Sequence, residues 1–197
     1  LDWKSGLAKC LFKVWKFEEA AALCGDMIRR DPSRADLWLL QANAWLGLKQ
    51  PLKAAEDYEL LDRAGQASAA CLNTLGDIYV NEGVPELAVS AYQRALAKEG
   101  AAAASATPLR NAEVLLSRGA YAEAGDLLAQ VKAICGKRMG SDDKKRILKL
   151  EARIAAASGQ AGAEQAKLLE DIVALDPLDG EALILLAQHY ARSGDTD

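Results

Sequence analysis

The sequence predicts an all-α fold of the α-solenoid class, with about 11 helices arranged as antiparallel pairs. The main observation is that small residues recur with a fixed step of 34 positions, in two independent series: Ala8, Ala42 and Gly76, and Ala20, Ala54 and Ala88. Apolar residues between them recur at spacings of three and four, the period of an amphipathic helix. Two series with one period indicate stacked copies of a helix pair, and such copies form a solenoid.

The clearest copy runs from Leu72 to Ala95. In its first half, large apolar residues on one face bracket Gly76, and a polar turn then breaks the period. Pro85 suits the first turn of a second helix, because its missing N–H would have no partner there. Since Gly76 has no side chain where two helix axes approach, we expect close antiparallel packing with two aromatic residues beside the contact, Tyr79 and Tyr92.

This copy resembles the tetratricopeptide repeat, a helix-turn-helix unit of about 34 residues. The motif positions are occupied by Leu75, Gly76 and Tyr79 in the first helix and by Ala88, Tyr92 and Ala95 in the second. The resemblance implies a right-handed superhelix in which the first helix of each repeat lines a concave groove. It also implies a scaffold for protein–protein interaction, because the family match is to an architecture and not to a chemistry.

We expect one solenoid domain over residues 1–197, as part of a longer chain. The step identifies five repeats and an incomplete sixth, over 1–34, 35–68, 69–104, 105–140, 141–179 and 180–197. The step grows to 36 between the third and fourth repeats, because two extra residues lie in an alanine-rich connection. That connection ends at Thr107, which we expect to cap a helix with Pro108 at its first position.

The sixth repeat stops before a second helix could form. Leu183, Leu186 and Tyr190 prepare an apolar face, whereas a terminal repeat normally carries a polar capping face. We therefore expect the native chain to continue past Asp197 with a helix that covers this face. Uncapped ends of this kind also favour self-association.

Charge and composition argue against several classes of partner. The net charge of −4 and the pI near 5.2 disfavour nucleic acid and anionic membrane surfaces. No apolar run approaches the roughly 18 residues of a membrane span, so no membrane insertion is expected. The four cysteines form no C-x-x-C pair, which argues against a zinc knuckle or a redox motif. No targeting segment is identified, which leaves cytoplasm and bacterial periplasm both open.

Catalytic machinery is also not predicted. His189 is the only histidine, and no serine or cysteine stands near it in the repeat geometry. The sequence has no phosphate-binding loop, dinucleotide fingerprint or zinc-protease motif. We therefore predict a protein that is not an enzyme and that has no cofactor and no metal site.

Polar side chains on the first helices form the candidate binding groove. The family geometry places eight residues there, and we call them the groove residues: Lys9, Asp36, Leu39, Asn43, Asn73, Asp77, Asn81 and Glu113. Amides and carboxylates on neighbouring helices can hydrogen-bond an extended backbone and attract basic side chains, which suits a peptide or a partner helix. The alternative is that these residues are only the solvated sides of helices.

A second candidate surface is a basic stripe in the fifth repeat. Its members recur at intervals of four with one neighbour beside them, so they share one side of a helix: Lys145, Arg146, Lys149 and Arg153. Such a stripe could bind an acidic protein or a phosphate. The alternative is an ordinary exposed face.

Two further functions stay open beside the interaction scaffold. The chain could be the non-catalytic arm of a larger enzyme or of a bacterial envelope or export assembly, which the full reading frame would decide. It could also be an RNA-binding helical repeat, although the acidic pI and the lack of a continuous basic groove count against this.

Overall fold

The computed structural model describes residues 2–100, 106–157 and 162–193, and in this part of the chain it contains eleven α-helices and no strand. The helices are α1 (Asp2–Lys13), α2 (Phe17–Ile28), α3 (Ala35–Gly47), α4 (Pro51–Arg63), α5 (Ala69–Asn81), α6 (Pro85–Glu99), α7 (Ala106–Ser117), α8 (Tyr121–Cys135), α9 (Ser141–Ala157), α10 (Ala163–Leu175) and α11 (Gly180–Ser193). A short 3₁₀ helix follows α8 at Gly136–Arg138. The predicted all-α fold is confirmed.

The helices form two compact units, Leu1–Lys98 and Glu99–Asp197. In the first unit α2 packs against α1 and α3, and α4 packs against α3 and α5. In the second unit α8 packs against α7 and α9, and α10 packs against α9 and α11. First helices of neighbouring pairs also touch, as α1 does with α3 and α7 with α9. Within each described unit, contacts thus join helices that are near neighbours in the chain, which is the pattern of a solenoid.

The predicted small residues lie where helices approach most closely. Seven alanines at these positions have an exposed fraction of 0%: Ala8, Ala20, Ala42, Ala54, Ala88, Ala112 and Ala124. Gly76 is buried as well, and a Cβ atom on it would lie 2.3 Å from Cε1 of Tyr92. No side chain fits at that distance, so the tyrosine ring takes its place against the backbone of α5. The close contact expected at Gly76 is confirmed.

Each unit has an apolar core between its helix layers. In the first unit the core includes Tyr58, Leu61, Leu72 and Leu75, with Trp38 and Trp45 packed against it from partly exposed positions. In the second unit a cluster joins α9, α10 and α11 through Ala152, Leu169, Ile172 and Ala182. The tryptophans seven residues apart on α3 therefore serve packing, as large aromatic side chains usually do.

The turn inside each of the first four helix pairs has one residue in the left-handed region. These residues are Trp15, Lys49, Gly83 and Gly119, with φ of 65°, 57°, 76° and 78°. They follow the repeat period, with steps of 34, 34 and 36 positions. Glycine adopts a left-handed φ without steric penalty, so the turns at Trp15 and Lys49 hold backbone strain that the later two turns do not.

The start of α7 differs from the prediction. The helix begins at Ala106, so Thr107 lies inside it and not at its cap, and Pro108 is buried in the first turn. N–H groups of the first helical turn have no partner within the helix, so proline is tolerated at several of these positions and does not mark the first one. The prediction of a Thr107 cap was wrong.

The apolar face of the sixth repeat is only partly covered. Leu186 packs on the cluster of α10, and the Tyr190 hydroxyl donates to Glu170 of α10, while Leu183 stays exposed. A turn was expected at Ser193-Gly194-Asp195; Ser193 still lies in α11, and residues 194–197 lie outside the described residues.

From the sequence we expect no membrane-spanning helix and no cysteine motif for zinc or redox chemistry. Among the described helices, none combines the length and the apolar character needed to cross a membrane. All four cysteines are free thiols, with Cys10 exposed and the other three buried. Burial raises the pKa of the Cys24 thiol to about 11, so this thiol is protonated at neutral pH and a poor nucleophile.

Candidate functional site

In the first unit, two groove residues accept hydrogen bonds from tyrosines on second helices. The Tyr58 hydroxyl on α4 donates to Oδ1 of Asn43 on α3 at 3.1 Å, and the Tyr92 hydroxyl on α6 donates to Oδ1 of Asp77 on α5 at 2.7 Å. Both members of the second pair stand 34 positions after those of the first. Both tyrosines are almost completely buried. The same hydrogen bond, from a tyrosine on the second helix to a polar side chain on the first helix, therefore occurs in two successive repeats.

The other groove residues of the first unit differ in how they are held. Asp36 accepts two hydrogen bonds from the Arg34 guanidinium, at 2.8 and 2.7 Å, and these bonds keep the pKa of its carboxyl below the usual value. Asn73 is half-buried on α5, and the remaining members are exposed: Lys9, Leu39 and Asn81. The first-helix face thus combines side chains fixed from within the chain with side chains open to solvent.

The fourth repeat changes this hydrogen bond. Glu113 occupies the position 36 residues after Asp77, and Leu128 stands where the tyrosine would be. Glu113 instead accepts two hydrogen bonds from the guanidinium of Arg146 on α9, at 2.7 and 2.8 Å. These bonds, with the nearby charges of Arg146 and Arg153, lower the pKa of the Glu113 carboxyl. The acceptor is therefore satisfied from the next repeat and not from its own second helix.

The basic stripe on α9 is largely neutralised within the chain. Besides the pair between Arg146 and Glu113, Lys145 Nζ lies 2.7 Å from Oδ2 of Asp176. Lys149 Nζ lies 2.8 Å from Oδ2 of Asp179 and 3.0 Å from Oε2 of Glu181. Arg153 is exposed, and within the described residues it has no carboxylate within 4.0 Å. Three of the four predicted cations thus form ion pairs within the chain. Arg153 forms none among the described residues.

These acidic partners were not identified from the sequence. Their signal is a spacing close to one repeat, because first helices of successive repeats lie side by side. Glu113 and Arg146 are 33 positions apart, Lys145 and Asp176 are 31, and Lys149 and Glu181 are 32. Opposite charges at this separation would have predicted the pairs, with Asp176 in the connection before α11 and the other members on first helices.

A cavity of about 320 Å³ lies in the second unit beside these pairs. Its floor is apolar and comes from α9, α10 and α11: Leu150, Leu169, Ile172, Ala182 and Leu185. Its charged rim consists of Glu113, Arg146, Lys149, Arg153 and Glu181. The cavity therefore combines a surface for an apolar side chain with Arg153, the stripe cation that has no carboxylate within 4.0 Å among the described residues.

A second arginine joins helices in the first unit. The Arg94 guanidinium on α6 donates to Glu59 of α4 at 3.0 Å and also to Asp62 of α4. The Tyr79 hydroxyl on α5 donates to the same Glu59 at 3.2 Å. These bonds raise the pKa of Arg94, whose largest contribution is the hydrogen bond to Glu59. One carboxylate thus receives donors from two other helices.

Asp57 is a buried acid that the sequence reading did not single out. Only 6% of its surface is exposed, and its Oδ2 has no hydrogen-bond partner among the described residues. Desolvation, with a smaller effect of Glu56, raises the pKa of its carboxyl to about 7. The equivalent positions one repeat before and after hold Leu23 and Ala91, so a carboxyl occupies an apolar position of the repeat. No group of three potential metal ligands lies within the described residues.

Comparison with family models and with curated protein sequences finds no match. Solved structures do match. YrrB, described as a TPR protein with an unusual peptide-binding site, is 20% identical with a TM-score of 0.56, over 91% of this chain and 88% of that one. MamA protein is 14% identical with a TM-score of 0.59, over 92% and 96% of the two chains. A tetratricopeptide repeat protein from Parabacteroides merdae ATCC 43184 is 13% identical with a TM-score of 0.55, over 98% and 73%.

At these identities the likeness shows the fold. The chain has the tetratricopeptide-repeat fold, as the motif in α5 and α6 predicts. Repeat proteins of this architecture have extended concave surfaces that they use for binding.

Proposed function

We propose that this chain, with its tetratricopeptide-repeat fold, is a non-catalytic scaffold that binds a peptide or a partner helix on its first helices. The groove residues of the first unit form the main contact surface in this proposal. Their chemistry suits main-chain recognition, because amides can donate hydrogen bonds to an extended segment and accept them from it, and carboxylates can accept them. An exposed leucine, Leu39, stands among them and adds an apolar contact.

The observation that carries the proposal is the pair of equivalent hydrogen bonds from buried tyrosines. Tyr58 and Tyr92 fix the side-chain oxygens of Asn43 and Asp77. An asparagine still has two donors when its oxygen accepts one bond, and a carboxylate can accept more than one. Fixing one atom therefore orients the side chain without exhausting its capacity. A pre-oriented polar group loses less entropy on binding, which favours recognition at this surface.

The structural likeness to YrrB supports a peptide as the class of partner, because that protein is described as having a peptide-binding site. The fold match does not carry over the site itself, since the identity is 20%. The chain's acidic balance favours a protein partner over nucleic acid, because nucleic acid binding depends on many contacts between basic side chains and phosphates.

The test compares two faces of the first unit. A peptide library is screened against the full chain, and binders are measured by fluorescence anisotropy on two double variants. Leu39→Arg with Asn73→Arg alters the first-helix face, and Leu60→Arg with Leu87→Arg alters exposed leucines on the second helices. We expect the first variant to lose most of the binding and the control to keep it. Equal losses, or a library without any binder, would contradict the proposal.

Melting temperatures of both variants accompany these measurements. All four positions lie at partly or fully exposed sites, where substitutions usually change stability by less than about 0.5 kcal/mol. A loss of binding in a variant that melts with the parent chain therefore reports on the surface and not on unfolding.

A further inference from the structure

We propose that the cavity of the second unit binds a peptide segment with one aliphatic side chain beside one carboxylate, and that Arg153 receives the carboxylate. This deepens the proposed function, on which it rests, by naming the chemistry of the segment at one place. The aliphatic side chain enters the apolar floor between α9, α10 and α11. The carboxylate lies at the rim of the cavity.

The charge balance at the rim specifies a single carboxylate. Of the three cations there, Arg146 is bound by Glu113 and Lys149 by Glu181 and Asp179. Arg153 alone has no carboxylate within 4.0 Å among residues 2–100, 106–157 and 162–193. Its guanidinium offers two parallel N–H donors, a geometry that matches a carboxylate.

The same balance argues against a polyanion. Glu113 and Glu181 stand on the same rim as Arg153, so a second negative group of the ligand would meet carboxylates. Nucleic acid binding depends on many phosphate contacts along a basic surface, whereas among the described residues this rim holds one cation without a carboxylate within 4.0 Å. The partner of matching charge is therefore a segment with one acidic residue.

The floor specifies the neighbouring side chain. It consists of leucine, isoleucine and alanine side chains, and Leu185 at its edge is still 38% exposed. A volume of about 320 Å³ lies near the lower end of ligand cavities, so the cavity suits one or two side chains and not a whole helix. Burying an aliphatic group there removes apolar surface of both molecules from water.

The test uses the full chain and an array of short peptides that vary one apolar and one charged position independently. We expect retained peptides to combine leucine, isoleucine or valine with aspartate or glutamate. Arg153→Glu should weaken their binding about tenfold or more, because a charge-assisted hydrogen bond becomes a repulsion. The matched control is Lys144→Glu, which makes the same charge change on an exposed residue of α9 that lines a different groove. It should change the affinity less than about twofold.

Two further measurements separate charge from shape. Peptides with lysine in place of the acidic residue should regain binding to Arg153→Glu, which a merely damaged protein would not show. Ala156→Phe, at an exposed position on the cavity wall, should reduce the affinity of the acidic peptides without altering their preference for a carboxylate.

The outcomes distinguish this inference from the proposed function. Peptides that bind through Leu39 and Asn73 but ignore Arg153→Glu would overturn the inference and leave the proposed function standing. Failure of the lysine peptides to bind Arg153→Glu would also overturn the inference. Competition by a single-stranded RNA oligonucleotide at the Arg153 cavity would favour a polyanion and overturn it as well. An array without any binder would contradict both proposals.

Discussion

The hydroxyl of Tyr92 donates a hydrogen bond of 2.7 Å to Oδ1 of Asp77, while the ring of the same tyrosine lies against the backbone at Gly76. One side chain therefore joins α6 to α5 twice, once through van der Waals contact with a glycine and once through a polar bond at the helix surface. The ring contact requires that position 76 has no Cβ. The hydrogen bond fixes a groove residue, so the packing of the repeat and the orientation of its candidate binding surface depend on the same residue.

Removing the two tyrosine hydroxyls should have unequal effects. Tyr92→Phe breaks a bond to a carboxylate, and Tyr58→Phe breaks the equivalent bond to an amide. Bonds to charged groups contribute roughly 1.5–3 kcal/mol and neutral ones about 0.5–1.5 kcal/mol. We expect the free energy of unfolding, from urea titration, to fall more for Tyr92→Phe. An equal or larger loss for Tyr58→Phe would contradict the role given to the carboxylate.

Adding one methyl group at Gly76 should destabilise the first unit. A Cβ atom there meets Cε1 and Cδ1 of Tyr92 at 2.3 and 2.5 Å, so either the ring or the helix must move. Gly76→Ala should lower the free energy of unfolding by about 1–3 kcal/mol. The control is Gly125→Ala in α8, where nothing lies within 4 Å of the new Cβ apart from the neighbouring residues and backbone of its own helix. There the higher helix propensity of alanine should leave stability unchanged or raise it by up to about 1 kcal/mol.

Asp57 should make the first unit less stable as the pH rises. Its carboxyl has a pKa of about 7 in the folded chain, against an ordinary value of 3.8. The stability that the chain gains from binding a proton at Asp57 is fully present below the ordinary pKa of this carboxyl. It is lost as the pH rises through about 7. The rise of the pKa from 3.8 to about 7 corresponds to a change of at most about 4 kcal/mol in the free energy of unfolding.

Asp57→Asn should flatten this dependence of the unfolding free energy between pH 4 and pH 8. The amide keeps the shape of the side chain but cannot ionise. The control is Asp126→Asn at an exposed position of α8, which should keep the slope of the parent chain. A parent chain with the same stability at both ends of the range would contradict the burial of this carboxyl.

Asp179 should stabilise the start of α11 in two separable ways. Its Oδ1 accepts the N–H of Ala182 at 3.1 Å, and its Oδ2 lies 2.8 Å from Nζ of Lys149. Asp179→Asn keeps a good N-cap and loses the charge, whereas Asp179→Ala loses both. The alanine variant should cost about 0.5–2 kcal/mol through the cap, with a smaller loss for asparagine.

The pH dependence at Asp179 should have the opposite sign to that at Asp57. The Lys149 ammonium, followed by the Ala182 N–H, lowers the pKa of the Asp179 carboxyl. Its stabilisation is therefore present above the ordinary value of 3.8 and is lost as the pH falls through the lowered pKa. Acid unfolding of the parent chain should show this loss, and Asp179→Ala should lack it. Equal acid sensitivity of the two chains would contradict the prediction.

The features that follow the repeat period could be predicted from the sequence. The features that depend on a departure from the repeat pattern at one position could not. The fully buried alanines and the contact at Gly76 are periodic, so the pattern predicted them. Asp57 breaks the pattern at a position that is apolar in the repeats beside it, and the pattern alone gives no reason to expect a carboxyl there. The pairs formed by Lys145 and Lys149 join α9 to the connection before α11 and to the start of α11, and only their spacing of about one repeat signals them in the sequence.

The candidate site was only partly predictable for the same reason. The family geometry placed Asn43 and Asp77 on first helices, but their hydrogen bonds depend on where Tyr58 and Tyr92 direct their hydroxyls. The choice of Glu113 as a groove residue depended on the extra residues before α7. The change from tyrosine to Leu128 then decides that its partner is Arg146 and not its own second helix.

The bonds of Arg94 have a consequence for how the first unit opens. Arg94 on α6 and Tyr79 on α5 both donate to Glu59 on α4, so separating any one of these helices breaks bonds made by the others. The backbone amides of α4, α5 and α6 should therefore exchange hydrogen for deuterium through one shared opening and at similar rates. Arg94→Ala would remove the bonds from α6 to α4, so α6 should then exchange at a rate different from that of α4. One arginine thus sets how many helices of this unit open together.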